Sequence, residues 1–268
     1  MTELLSKDHT ILERPFMEFR PFGKDERGDK IRDISGVVVR ANVDYLEECG
    51  RRAAGPAQGE LLVRELCRRL NERIHDSAYH VNEKFLRNVW NSYSYEFVCF
   101  LHELCILISG DAEFVAHKAQ SKHAISPVIK VLGLSFTLRE IYSKWPYFGR
   151  KFTDGVIEYA IGPVTDHSAI LFNRFTERAY RQFGPYRKRC AELVCTSGKA
   201  SVQMIPAHIF HLPPATITDR TCIVNGDEWC EWDVRWAPQT EGGRLQSARN
   251  LLRRVQDSMV QVWRDTRS

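Results

Sequence analysis

The chain has no apolar run approaching the roughly 18 residues a membrane-spanning helix needs, which excludes an α-helical membrane protein. Its first residues, MTELLSKDHT, lack the basic start and apolar centre of a secretory leader. Charge of one sign is also scarce. A net charge of +4 over 268 residues is spread through mixed runs such as KDERGDKIRD, so the electrostatic footprint of a dedicated nucleic-acid binder is missing. There is no glycine-rich phosphate loop, no G-x-S-x-G elbow and no H-E-x-x-H pair. No set of nucleophile, base and orienting group can be assembled, and catalytic residues are not expected.

Hydrophobic residues make up 43% of the chain and charged residues 27%, a balance that fits one large or two modest folded domains. The eight cysteines carry no secretory context. We expect a cytoplasmic protein with reduced thiols, in which a close cysteine group favours metal over a disulfide.

Periodicity divides the chain. Residues 1–35 read as a charged N-terminal arm or capping segment, and GVVVRANV (36–43) as a short strand. Leu62, Leu66, Leu70 and Ile74 recur every fourth residue and predict an amphipathic helix over 59–75. The aromatic and apolar stretch 83–109 predicts one or two core helices, closed by Gly110. Strands are expected at 155–161 and 168–174, a helix over 176–204, and a β-hairpin over 207–236 turning at Asn225-Gly226. Beyond Pro238, Leu245, Ala248, Leu252, Val255, Met259 and Val262 follow alternating steps of three and four. That rhythm fits a coiled coil or an amphipathic helix packed on its own domain. The fold class expected is therefore mixed α/β (α+β): an antiparallel sheet with flanking helices, and a C-terminal amphipathic or coiled-coil helix. We expect residues 36–150 to be a largely helical sensory or dimerisation part, 151–238 the domain that holds the cysteine hairpin, and 243–268 a signalling or dimerisation helix.

The chemistry concentrates in TCIVNGDEWCEW, where Cys222 and Cys230 flank the hairpin turn. Metal binding needs deprotonated ligands converging at ~2.0–2.3 Å, four of them in a structural zinc site. A hairpin can bring these two thiols together. Cys195 in the preceding helix could add a third, and Asp219, His208 or His211 a fourth. Buried thiols without metal are the competing reading, because cysteine is often a small core residue.

This pattern resembles the 4-vinyl-reductase-type small-molecule-binding domain, whose fold is related to trafficking-complex subunits and haem nitric-oxide-sensing domains. In its aromatic-sensing regulators a helix cysteine is followed by an acidic residue and two further cysteines that together bind zinc. Cys195, Asp219, Cys222 and Cys230 match those positions, the last two with their eight-residue separation. The chain departs in having Asp where those regulators have Glu, and in a Cys195–Cys222 interval one residue longer. The resemblance covers roughly 150–236. It implies a structural zinc ion, an apolar or aromatic ligand, a homodimer, and an output domain or a partner kinase, cyclase or regulator. An enzyme or binding protein for a tetrapyrrole or lipid-like ligand is the alternative it leaves.

Three further groups stand out in the sequence. Trp90, Tyr93, Phe97, Trp145 and Tyr147 are aromatic candidates for a ligand pocket. Cys99, His102 and Cys105 share one helix face; a core-facing helix is favoured there over a metal or haem site. The Tyr-x-Ser-x-Arg element of haem sensors lacks its arginine at Tyr93-Ser94-Tyr95-Glu96. The basic stretch RAYRQFGPYRKRC (178–190) reads as a solvated helix face rather than a phosphate site.

Overall fold

The valines of GVVVRANV do not form a strand. Ser35 caps a helix instead, its Oγ accepting the Val37 N–H at 3.3 Å, and α1 runs Gly36–Ala54. Val39, Val43, Leu46 and Gly50 are buried along one stripe, a period of about 3.6 that a strand cannot satisfy. The β-branched residues lower helix propensity by only tenths of a kcal/mol each, and burial against the next helix outweighs this. The computed structural model describes residues 10–125, 130 and 133–238.

Gly55, at φ 88°, turns the chain into α2 (Pro56–Glu72), with Pro56 in the first turn, where its missing N–H costs nothing. The two helices form a close antiparallel pair. A Cβ on Gly59 would lie 2.7 Å from the Glu47 carbonyl oxygen, and one on Gly50 2.8 Å from that of Gln58. The segment expected as one or two helices holds α3 (Glu83–Leu86), a short strand β2 (Ser92–Tyr93) and α4 (Tyr95–Ser109). β2 pairs antiparallel with β1 (Ile34–Ser35). Every residue of α4 from Tyr95 to Cys105 is buried, as expected of a central helix. Gly110 ends it in the left-handed conformation, φ 70°, and α5 (Phe114–Gln120) follows.

After α6 (Leu138–Ser143) and α7 (Trp145–Phe152), the expected strands appear as β3 (Ile157–Val164) and β4 (Ser168–Phe175). The helix expected over 176–204 is divided at Gly184 into α8 (Glu177–Phe183) and α9 (Arg187–Phe210). α9 therefore takes up residues 207–210, which the sequence pattern assigned to the hairpin. The hairpin itself is β5 (Thr216–Thr221) and β6 (Cys230–Arg235), with Gly226 at φ 94° in the turn. The four long strands form one antiparallel sheet ordered β3-β4-β6-β5.

Two buried clusters result. One joins α1, α2, α4 and α5 to Phe175, Phe183 and Cys190. The other lies between α9 and the sheet, where Cys195, Val202 and Phe210 meet Leu171, Trp232 and Val234. The N-terminal arm is part of the first, through the buried Ile11 and Ile34. The mixed α+β class is as the sequence predicts. The expected C-terminal helix, 243–268, lies outside the described residues. No helix among those residues is long and apolar enough to cross a membrane.

Candidate metal centre

Three elements deliver one thiol each. Cys195 lies on α9, Cys222 follows β5, and Cys230 opens β6. The β5–β6 register shifts between Asp219 and Thr221, a bulge that re-aims the residues after it. The Cys195 Sγ stands 3.2 Å from that of Cys230 and the Cys230 Sγ 3.8 Å from that of Cys222. All three lie within 4.8 Å of one another, and all are buried. Zinc–thiolate bonds of ~2.3 Å in a tetrahedron put neighbouring sulfurs about 3.8 Å apart, so the triangle has the size a metal requires.

The electrostatics suit a cation. The Cys222 thiol is pulled down to about 6, chiefly by the hydrogen bond from Cys195, aided by the Val224 N–H, Cys230 and the charge of Lys199. Cys195 is pushed in the opposite direction by its hydrogen bonds to Cys222 and Cys230 and by burial. The hydrogen bonds and charge around Cys222 thus favour its thiolate form. A soft divalent cation would replace the thiol protons and bond all three. The Ile223 N–H adds a hydrogen bond to the Cys230 Sγ at 3.4 Å, and the Asp227 carboxylate accepts the Cys222 N–H at 2.8 Å.

Asp219 stands outside this triangle, its carboxylate paired with Lys199, one helical turn beyond Cys195. His208 and His211 are remote. His208 lies thirteen positions along α9 from Cys195, about 20 Å at 1.5 Å per residue, and its Nε2 contacts the Ala119 carbonyl at 2.7 Å. Lys199 and Asp227 had no signal in sequence, because their roles depend on which helix face covers the hairpin.

The five aromatic candidates do not meet. Tyr93 and Phe97 stack in the helical core with centroids 4.9 Å apart. Trp145 donates its Nε1–H to Asn173 Oδ1 at 2.9 Å, beside the sheet. Trp90 and Tyr147 are exposed. Two concavities stand out among the described residues, and none of these five lines either. One lies between residues 19–33 and α8; the other lies on the sheet face around Phe172 and Trp229.

His102 is fully buried on α4, and neither ring nitrogen has a hydrogen-bond partner. Burial, with help from the Lys118 charge, holds it well below the usual histidine range. A haem needs an axial nitrogen facing a wide apolar slot. His102 is buried on α4, and neither concavity includes it. Neither concavity offers His102 such a slot, so these residues do not present a haem site.

No protein-family model matches the sequence, and no curated protein matches it. Solved structures do. The Fe(II) unliganded H-NOX protein from K. algicida aligns with a TM-score of 0.50 and 13% identity, over 77% of this chain and 98% of that one. An H-NOX protein from S. oneidensis in the Fe(II) ligation state, carrying three substitutions, gives 0.47 and 11% identity over 78% and 98%. At such identity the likeness concerns architecture alone: the chain has an H-NOX-like mixed α+β fold.

Proposed function

We propose that this chain is a non-enzymatic, cytoplasmic ligand-sensing module of the 4-vinyl-reductase-like type, built around one structural zinc ion. Cys195, Cys222 and Cys230 bind the ion, and Asp219 completes the tetrahedron once it exchanges Lys199 for the metal. The observation that carries this reading is the convergence of three buried thiols from three separate elements. The H-NOX-like fold supports a sensory role by likeness of architecture. Four protein ligands leave no open position for substrate, so the ion pins the β5–β6 hairpin to α9 rather than doing chemistry. A ligand that favours one packing of α9 on the sheet shifts the population. The segment beyond residue 238 carries the change to an output domain or partner, within a homodimer. A tetrapyrrole or lipid carrier finds less support, since neither concavity is an enclosed apolar chamber.

The test is elemental analysis of protein purified without added metal. Wild type should hold about one zinc per chain, and Cys222→Ser and Cys230→Ser should lose it together with thermal stability. Metal-free wild type with the same melting temperature as the zinc-supplemented protein would overturn the reading.

A further inference from the structure

Away from the thiols, the chain between Phe19 and Asp33 borders α8 and the start of α4 around an open cavity of about 270 Å³. That is near the lower end of small-molecule sites, roughly 300–1,000 Å³, so its occupant must be compact. The floor is built. Asp33, Ser94 and Gln182 are 0%, 1% and 3% exposed. Asp33 Oδ2 is committed to the protein, accepting from Gln182 Nε2 at 2.8 Å and from the Tyr95 N–H at 3.2 Å. Gln182 is fixed in turn by the Glu96 N–H, which donates to its Oε1 at 3.2 Å.

Asp33 Oδ1 is different. It is buried beneath the cavity that Asp33 helps to line, and it accepts no hydrogen bond. Its one charge contact is Arg178 Nη2 at 2.8 Å, off the hydrogen-bonding direction. Arg178 is 41% exposed, so its other nitrogens remain available. Arg181, one turn further along α8, and Lys30 on the facing loop also line the cavity, with no ion pair to any described residue. Glu26 and Asp29 line the cavity too, likewise without an ion pair among the described residues. A simple anion would face the carboxylates here, and a simple cation the guanidinium groups. Only a ligand carrying both charges satisfies both sets.

We propose that this cavity binds a small zwitterion of the amino-acid class. Its carboxylate lies against Arg178 and Arg181, and its ammonium faces the Glu26 and Asp29 carboxylates, above the buried Asp33–Arg178 pair. Arg178 then sits between two carboxylates, held by the buried one and offered to the ligand. The inference uses none of the thiols, so it stands or falls independently of the zinc reading.

Thermal melting of the full chain tests it, with the standard L-amino acids as probes and acetate, methylammonium and inorganic phosphate as single-charge controls. At least one amino acid should raise the melting temperature by about 5–10 °C at ~100-fold its Kd, with no response to the controls. Arg181→Glu, at an exposed position, should melt like wild type yet lose the response, and Arg181→Lys should keep part of it. Three results would each overturn the proposal: no amino acid shifts the transition, phosphate or acetate shifts it equally, or Arg181→Glu still responds.

Discussion

Arg14 and Glu96 form an ion pair with both side chains withdrawn from solvent, 4% and 0% exposed, across 82 positions of sequence. Glu96 also accepts the backbone N–H groups of Glu18 and Phe19 at 3.1 and 2.9 Å. Arg14 donates to the carbonyls of Gln182 and Phe183 at 3.2 and 3.1 Å. One pair thus fastens the N-terminal arm to both α4 and α8.

Removing one partner strands the other. Arg14→Met should lower unfolding free energy by ~3–5 kcal/mol, measured by urea denaturation at pH 7. Arg14→Met combined with Glu96→Gln should recover part of that loss, because no buried charge then remains. Burial already holds the Glu96 carboxyl above the usual range, so its protonation favours the folded state. The Arg14→Met deficit should therefore shrink as pH falls towards 4.5 and grow as pH rises. A deficit independent of pH would contradict this account.

His102 makes the opposite prediction for pH. Its folded-state value is depressed, so the unfolded chain binds a proton below about pH 6.5 that the native core refuses. Stability attached to His102 is complete above that pH and falls by ~1.4 kcal/mol per unit below it. His102→Leu removes the titration and two unsatisfied nitrogens at nearly constant volume. Between pH 7 and 5.5 the variant should lose less stability than wild type. Parallel curves for the two proteins would place the acid sensitivity elsewhere.

The α1–α2 contact should be intolerant of a single methyl group. Alanine gains up to ~1 kcal/mol over glycine in a helix interior, yet a Cβ on Gly50 would sit 2.8 Å from backbone atoms of Gln58 and Gly59. Separating the helices costs ~1–3 kcal/mol. Gly50→Ala should therefore lower the melting temperature, and a gain would show that the helices can move apart freely.

The fourth position of the proposed zinc site can be separated from the other three by affinity. Cys195→Ser should abolish stoichiometric zinc binding. Asp219→Ala should retain zinc with weaker affinity, read by competition with a chromogenic chelator, because three thiolates remain. Lys199→Met, which frees the Asp219 carboxylate from its ion pair, should strengthen binding. Unchanged affinity in Asp219→Ala would assign the fourth position to water.

Much of this architecture was legible in the residue pattern. Alternation marked β3 and β4, the four-residue leucine spacing marked α2, and Gly226 marked the hairpin turn. The three cysteines of the cluster were identifiable because two flank a turn and the third belongs to the preceding helix. Val37–Val39 were misleading: β-branched residues favour strands locally, but Val39, Val43 and Leu46 share a helical stripe once α2 is there to cover it.

Sequence by itself determined the class of the fold, the location of its sheet and the candidate thiols, since these follow from local periodicity and turn chemistry. Tertiary structure alone decided the rest. It dispersed the five aromatic residues and placed Lys199 against Asp219. It also paired Arg14 with Glu96 and buried Asp33 against Arg178 beneath a cavity. Each of these depends on which faces meet across long stretches of chain, and side-chain burial, charge pairing and cavity shape arise only when those faces come together.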